Sequence, residues 1–301
     1  MTLPRQAAGT ATGSAAPALS RATVDRDAET RSDPDLLDEA WLTARILVVD
    51  NGTALVDGLD LVFVTADQAP EGDRFYLGRD SGGAFFAVAG PLPRRLGAKP
   101  MGLRDIGALL ADRDAGLLVH AVGLANWHAT HVRCPRCGAP TVSTKGGSVR
   151  TCTVDASDHF PRTDPAVIML VTDGADRALL GRQAIWPAGR YSTLAGFVEP
   201  GESAEQAVVR EVAEETTVEV WDVRYVASQP WPFPASLMLG FTAVADGDSV
   251  PHPQDGELDD ARWFTRAELI AAGTWGDRAG TQLPSAVSIA HFLISAWLFP
   301  E

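Results

Sequence analysis

The sequence predicts an α+β protein in two parts: a mixed α/β N-terminal domain and a C-terminal domain built on a mixed sheet. A small zinc-ribbon-like segment joins them. Three observations carry this prediction. Short β-prone runs with turn signals precede two apolar helical segments, ending near residue 128. Three cysteines then cluster, Cys134 and Cys137, then Cys152 after fourteen intervening residues. Beyond residue 163, strands flank a glycine-rich loop that runs into a short acidic helix. A chain of 301 residues suits about two domains, and 46% hydrophobic residues supply ample core.

Taken in order, residues 1–33 are rich in Ala, Thr, Ser and Arg without apolar periodicity, which predicts a disordered tail. Residues 34–128 predict the N-terminal domain. Trp41 to Val49 reads as a strand, and Asn51-Gly52 is a hairpin signal. Leu61 to Val64, Arg74 to Leu77 and Ala84 to Val88 continue as short strands, and Pro91-Leu92-Pro93 breaks the run. Leu103 to Leu110 and Gly116 to Trp127 read as helices. This domain shows no catalytic constellation.

Residues 129–162 hold Cys134-Pro135-Arg136-Cys137 and Cys152. A zinc ribbon needs a fourth ligand for a tetrahedral site. Asp155 stands at the expected fourth position, and His159 is close enough in sequence to substitute. Residues 163–298 predict the C-terminal domain. Ala166 to Val171 is a strand, Asp173 to Asp176 a turn, and Ala178 to Leu180, Tyr191 to Leu194 and Val220 to Ser228 further strands.

Within that domain lies Gly196-Phe197-Val198-Glu199-Pro200-Gly201-Glu202, followed by a helix. Ser203 with Gln206 is a capping-box start. Ala204, Val208 and Val212 repeat at helical spacing and face a core. Glu211 and Glu215 are four apart and share another face, with Glu214 beside them. Carboxylates this close repel, and a hard divalent cation with oxygen ligands relieves that repulsion. Arg210 is placed to hold one of them by a bidentate contact.

The spacing is Gly, five residues, Glu, seven residues, Arg-Glu, an aliphatic, any residue, Glu-Glu. It resembles the Nudix box, the signature of hydrolases that cleave nucleoside diphosphates linked to another group. Gly196, Glu202, Arg210, Glu211, Val212, Glu214, Glu215 and Val218 fit. Thr217 departs: the family has Gly there, and a β-branched residue in a left-handed cap costs roughly 1 kcal/mol. The resemblance implies a Nudix α/β/α sandwich for the C-terminal domain.

After the box comes Ser228-Gln229-Pro230-Trp231-Pro232-Phe233-Pro234-Ala235-Ser236. Three prolines alternating with two large aromatics read as a stiff extended loop that holds aromatic surface for stacking. Together with the box, this array resembles the NADH pyrophosphatase (NudC-type) family of Nudix hydrolases. Phe160-Pro161-Arg162-Thr163-Asp164-Pro165 sits where that family leaves its four-cysteine ribbon. The likeness covers about residues 34–298.

The resemblance implies metal-dependent hydrolysis of the diphosphate of NADH or NAD⁺ to the nicotinamide mononucleotide and AMP, and removal of NAD caps from RNA. It places Mg²⁺ or Mn²⁺ on the Ala195 carbonyl, Glu211, Glu215 and Glu257. Glu214 or Glu215 serves as base or metal anchor, Arg210 orients the glutamates, and Glu202 steadies the loop through Arg210. Substrate positions fall on Gln229, Pro230, Trp231, Pro232, Phe233, Pro234, Ala235 and Ser236, and on Arg104, Phe160 and Ala290. Phe160 stands where the family often has Tyr, and Gly147 where it has a ribbon Glu. Phe160, Phe197, Trp231 and Phe233 are the candidates to stack on a base, at least one of the last two being core instead. For the ribbon two readings stay open: Zn²⁺ held by Cys134, Cys137, Cys152 and Asp155 or His159, or a ribbon fold that has lost its metal and is held by packing.

Family members act as homodimers. The apolar tail Ile289 to Leu298 suits an interface or, the preferred reading, a core helix. The balance of 25 cationic against 39 acidic residues gives a net charge of −14. That predicts no DNA partner and no extensive backbone-reading basic surface. No run of eighteen apolar residues predicts a membrane span, and the N-terminus has no apolar signal core, so a cytoplasmic protein is expected. Two other readings compete. One keeps the hydrolase and changes the substrate to ADP-ribose or another nucleoside diphosphate derivative. The other is a nucleotide-sensing module that has lost catalysis, which the complete set of box carboxylates disfavours.

Overall fold

The structure is a computed structural model and describes residues 16–254, 256–277 and 280–300. The expected tail needs correction from its second half onward. Residues 1–15 lie outside the described residues, but 16–33 are ordered against the body. Leu19 is 1% exposed and joins the core cluster that holds Leu103 and Ile106. Its amide donates to Gln229 Oε1 at 3.3 Å, and Ser20 Oγ donates to the Ser228 carbonyl at 2.6 Å. Arg21 reaches Asp112 at 2.6 Å and the Leu110 carbonyl at 3.0 Å. One buried leucine and a few backbone bonds hold this segment, a pattern with no periodicity to read.

Two short helices follow, α1 (Ala28–Ser32) and α2 (Pro34–Leu42). Asp33 caps α2 by accepting from the amides of Asp35 and Leu36, and Pro34 supplies a pre-set φ in the first turn. Trp41 therefore ends a helix instead of opening a strand. The sheet begins at β1 (Arg45–Asp50) and continues through β2 (Thr53–Asp57), β3 (Asp60–Leu61), β4 (Phe63–Val64), β5 (Arg74–Asp80), β6 (Gly83–Ala89) and β7 (Lys99–Gly102). The order is β3-β2-β1-β6-β5, with β4 on β1 and β7 on β2. Only β1 and β6 run parallel. Asn51 and Gly52 both adopt positive φ between β1 and β2, as the hairpin signal requires.

Helix α3 (Leu103–Ile106) is shorter than the sequence suggested, and α4 (Asp112–Thr130) is longer. Leu117, Leu118, Ala121 and Val122 bury against Phe75, Phe85 and Leu47 of the sheet. Each such side chain contributes about 1.5–3 kcal/mol of burial. The end of α4 anchors the ribbon. Arg150 donates to His128 Nδ1 at 2.7 Å, so the imidazole carries its proton on Nε2, which donates to the Gly147 carbonyl at 2.7 Å. The ribbon is an antiparallel trio, β8 (Thr141–Thr144), β9 (Val149–Cys152) and β10 (Asp158–His159), in the order β10-β9-β8.

The C-terminal sheet comprises β11 (Asp164–Thr172), β12 (Arg177–Gln183), β13 (Leu194–Phe197), β14 (Val220–Trp231), β15 (Ser236–Ala245) and β16 (Leu258–Thr265). Its order is β14-β15-β11-β12-β16, with β13 on β11. β11 and β15 run parallel and the other pairs antiparallel, so the sheet is mixed as expected. Tyr191 to Leu194 is not a strand of its own: β13 starts at Leu194, and Ser192 makes a single bridge to Gly181. Helix α5 (Ala204–Thr216) covers one face through Ala207, Val208 and Val212. The short α6 (Arg266–Ile270) and α7 (Ile289–Leu298) cover the other, separated by a small parallel pair, β17 (Gly273–Thr274) with β18 (Gln282–Leu283). Ile289, Ala290, Leu293, Ile294 and Leu298 of α7 are buried with Ile168, Leu170 and Phe264, so the apolar tail is a core helix. No helix among the described residues is long and apolar enough to cross a membrane.

The turn predicted at Asp173–Asp176 is built by Asp173. Its carboxylate accepts from the amides of Ala175 (2.9 Å) and Arg177 (3.0 Å) and from Arg177 Nε (2.8 Å). Burial opposes the charge, but these donors outweigh it and hold the carboxyl below its usual 3.8. A depressed carboxyl stabilises the fold above the unfolded value, and that contribution is lost as pH falls through the folded one. Asp173→Asn should therefore lower stability by about 1–3 kcal/mol at pH 7, with the gap to the parent closing below pH 3.8 in urea titrations.

Candidate active site

The box loop and α5 assemble a carboxylate cluster around one guanidinium. The capping box forms in full, with Gln206 N on Ser203 Oγ at 3.2 Å and Ser203 N on Gln206 Oε1 at 2.8 Å. Two turns on, Arg210 grips Glu202 twice, from Nη2 at 2.6 Å and Nε at 3.1 Å. Its Nη1 meets Glu211 and Glu214, each at 2.9 Å, and Nη2 also donates to the Phe197 carbonyl at 2.9 Å. The carboxylates, Glu202 foremost, hold this guanidinium firmly protonated. Glu202 also accepts the Glu199 amide at 2.8 Å, closing the loop on itself.

Glu211 lies flat against β13. A Cβ at Gly196 would sit 1.9 Å from the Glu211 carboxyl carbon, so only glycine admits this approach. Burial pushes the Glu211 carboxyl up; Arg210 pulls it back, and Glu214 and Glu257 push it further up. Glu214 and Glu257, both expected at the site, thus bear on Glu211. Glu215 and Glu214 divide by environment: Glu215 is 3% exposed and walls a cavity with Ala195, whereas the Glu214 side chain is 55% exposed. Among the described residues the box glutamates are not gathered into a ligand set like that of the cysteines below, and Arg210 pairs with Glu202, Glu211 and Glu214.

Thr217 does take the left-handed cap, with φ 63 and ψ 4, and its amide closes on the Ala213 carbonyl at 2.8 Å. The helix exit is therefore kept at the expense of backbone strain. Thr217→Gly should stabilise the protein by about 1 kcal/mol, seen as a rise of about 2–4 °C in melting temperature.

The proline-aromatic array is half strand and half turn. Ser228 to Trp231 continue β14, pairing with β15 from Leu239 to Ser236, and only residues 232–235 form the turn. β14 is an edge strand, which is where Pro230 is tolerated. Asn126 of α4, missed from the sequence, donates to the Pro232 and Pro234 carbonyls at 2.9 and 3.3 Å. Trp231 and Phe233 meet edge-on at 4.9 Å and pack partly on the N-terminal core. The Arg104 guanidinium covers both, 4.2 Å from the Phe233 centroid and 5.2 Å from that of Trp231.

Trp231, Arg104, Ala195 and Glu215 line one cavity of about 480 Å³ that lies between α3 and the C-terminal sheet. Pro234 and Ala235 sit in the turn and Ser236 opens β15, with the Ala235 carbonyl accepting the Asp164 amide at 2.8 Å. Phe160 and Phe197 stand out at 68% and 59% exposure. Two of the expected substrate positions have buried side chains: Gln229 is 0% exposed, its amide tied to Leu19 N and the Val287 carbonyl, and Ala290 is 1% exposed beside the cavity-lining Ser288 and Ile289.

Family models match both halves of the chain. Residues 162–284 match the NUDIX domain, and residues 39–127 match the NADH pyrophosphatase-like rudimentary NUDIX domain. The NAD-capped RNA hydrolase NudC of Mycobacterium bovis is 41% identical over 295 residues, covering 93% of this chain and 94% of its own. This chain belongs to the NADH pyrophosphatase (NudC-type) family of Nudix hydrolases. The human NAD-capped RNA hydrolase NUDT12 is 41% identical over 63% of this chain and 43% of its own length. A NUDIX hydrolase structure from Nitrosomonas europaea is similar over 55% of this chain and 89% of its own, with 23% identity and a TM-score of 0.44.

This NudC-type chain also gathers its cysteines. The ligand atoms of Cys134, Cys137, Cys152 and Asp155 all lie within 4.8 Å of one another, while His159 stays outside the group. Cys137 and Cys152 sulfurs are 3.5 Å apart, close to the roughly 3.8 Å edge of a tetrahedron with 2.3 Å zinc–sulfur bonds. Backbone amides of Arg136, Val154 and Asp155 point at the sulfurs from 3.4–3.5 Å. Burial opposes ionisation of Cys134, yet amide donors prevail and bring its thiol down to about 6. The Ser157 hydroxyl and amide hold Asp155 ionised at about 2. Three sulfurs and one carboxylate in this spacing fit a closed zinc site.

Proposed function

We propose that this Nudix hydrolase cleaves the diphosphate of NADH or NAD⁺, adding water across the P–O–P bridge to give nicotinamide mononucleotide and AMP, and removes NAD caps from RNA by the same cleavage. The observation that carries this is the convergence of Glu215, Trp231 and Arg104 on one cavity: box, array and N-terminal domain meet there. The NudC-type relatives are named for NAD-capped RNA hydrolysis and support it.

In this reading Mg²⁺ or Mn²⁺ is held by Glu211, Glu215, Glu257 and the Ala195 carbonyl, and when bound supplies charge neutralisation and an activated water. The donor set is all oxygen, and Gly196 leaves the room that a recessed Glu211 needs. Arg210 fixes Glu211 and Glu214 and ties the loop to Glu202. Arg104, spread over Trp231 and Phe233, offers positive charge to the substrate's phosphates from the opposite wall. Phe160 and Phe197 present open ring faces for a base, consistent with a homodimer in which a second chain covers them.

RNA needs cationic surface that the net charge does not supply. Arg94 and Arg95 in the loop before β7 and Lys99 at the start of β7 are exposed, and none of the three makes an ion pair or side-chain hydrogen bond with the described residues. That loop leads through β7 into α3 and Arg104. The test is parallel hydrolysis of NADH and a 5′-NAD-capped oligoribonucleotide. Cleavage of both at the diphosphate supports the proposal, and cleavage of neither by folded protein with either metal refutes it.

Zinc is held by Cys134, Cys137, Cys152 and Asp155. Metal analysis should give one zinc per chain, retained in His159→Ala and lost in Asp155→Ala; loss in both variants would place His159 in the site.

A further inference from the structure

One part of the cavity belongs to neither motif. Trp186, beyond the end of β12, and Trp275, between β17 and β18, line it from the C-terminal side. Their ring centroids are 4.9 Å apart and their planes are tilted by 59°. They form a corner, not a sandwich, with the Arg190 guanidinium 5.8 Å from the Trp275 centroid, and both rings are only half-buried, which leaves surface for a third ring. Trp275 is pinned: its amide donates to the Leu283 carbonyl at 2.9 Å, and its indole N–H donates to the Gln282 carbonyl at 3.1 Å. Gln282 in turn holds the turn through the Asp277 carbonyl at 2.8 Å and the Gly276 amide at 3.2 Å. Aromatic surface this well fixed loses little entropy when a ligand stacks on it.

The same cavity takes in Thr193, just ahead of β13. It is 6% exposed. Its hydroxyl is buried and has no hydrogen-bond partner among the described residues. A buried hydroxyl without a partner is costly and is expected to find one in a ligand or an ordered water. A valine would fill the same volume without that cost, so the hydroxyl calls for a role.

We propose that Trp186, Trp275 and Thr193 form a specificity subsite that seats one planar heteroaromatic ring of the substrate, the Thr193 hydroxyl bonding to the ring's polar edge. The inference rests on the dinucleotide reading above and names residues for it outside the box and the array. The corner supplies stacking and edge contacts, and the hydroxyl, able to donate or accept, selects a ring bearing an amide or amino edge. Nicotinamide with its carboxamide and adenine with its amino group share that chemistry. A diphosphate with no such ring gains nothing here.

The test uses the full chain with Thr193→Val, which keeps volume, and Trp186→Leu. Initial rates are measured with NADH and with ADP-ribose, which keeps adenine and lacks nicotinamide. Binding of NMN and of AMP is measured separately by calorimetry, without turnover. Thr193→Val should raise KM about fivefold, and Trp186→Leu about tenfold or more, with kcat within twofold of the parent. A rise for NADH alone, with weakened NMN binding, seats nicotinamide; a rise for both, with weakened AMP binding, seats adenine. Unchanged KM for both substrates and unchanged binding of both mononucleotides, or a loss confined to kcat, overturns the proposal. If the parent cleaves neither substrate, the dinucleotide reading falls, and the binding measurements still decide the subsite.

Discussion

Glu215→Gln should lower turnover by about 100-fold or more while leaving the fold intact. Glu215 is the box carboxylate that is both buried and on the cavity wall, next to Ala195. Glutamine keeps the size and removes the charge that a divalent cation or a reacting water would use. The neighbouring Glu214→Gln should cost much less, because that side chain is largely in solvent and its contact is with Arg210. The check is kcat at saturating NADH and Mg²⁺ for both variants, with circular dichroism to establish folding. Near-parental turnover in folded Glu215→Gln would remove Glu215 from the metal and base assignments together.

The second large effect is expected at Arg210. Its guanidinium makes contacts to Glu202, Glu211, Glu214 and the Phe197 carbonyl, so it sets both the loop and the glutamate spacing. Arg210→Ala leaves three carboxylates facing each other and should cost about 2 kcal/mol of stability and at least tenfold in turnover. Arg210→Lys restores a point charge but not the fork, so it should recover stability more than activity. Urea midpoints read beside kcat separate the two effects. Equal recovery of both by lysine would mean that charge alone, not geometry, organises the cluster.

The box was legible because its chemistry is local. A capping box, a helical face of aliphatics and carboxylates at i and i+4 all fall within about twenty residues, and the structure forms each of them. The ribbon was legible for the same reason, and of the two fourth positions the sequence offered, Asp155 and His159, it is Asp155 that lies within 4.8 Å of the three sulfurs. What escaped depends on contacts far apart in sequence. Leu19 and Gln229 meet across 210 positions, and nothing in either neighbourhood announces it. Asn126 supports the array from α4 through a pair of carbonyl bonds that no spacing predicts. Trp186, Trp275 and Thr193 converge only once β17 and β18 pair and β13 joins the sheet. The Ser228–Trp231 stretch was misread because prolines suggested a loop, whereas an edge strand accepts them on its unpaired side.

The claim that two motifs and an N-terminal domain build one diphosphate-cleaving cavity is tested most directly by identifying products. NADH is incubated with purified protein and Mg²⁺ or Mn²⁺, with a matched EDTA control, and separated by chromatography. The account predicts AMP and reduced nicotinamide mononucleotide in equal amounts, appearing only with metal. Release of nicotinamide and ADP-ribose, or no product from folded protein with either metal, would contradict it.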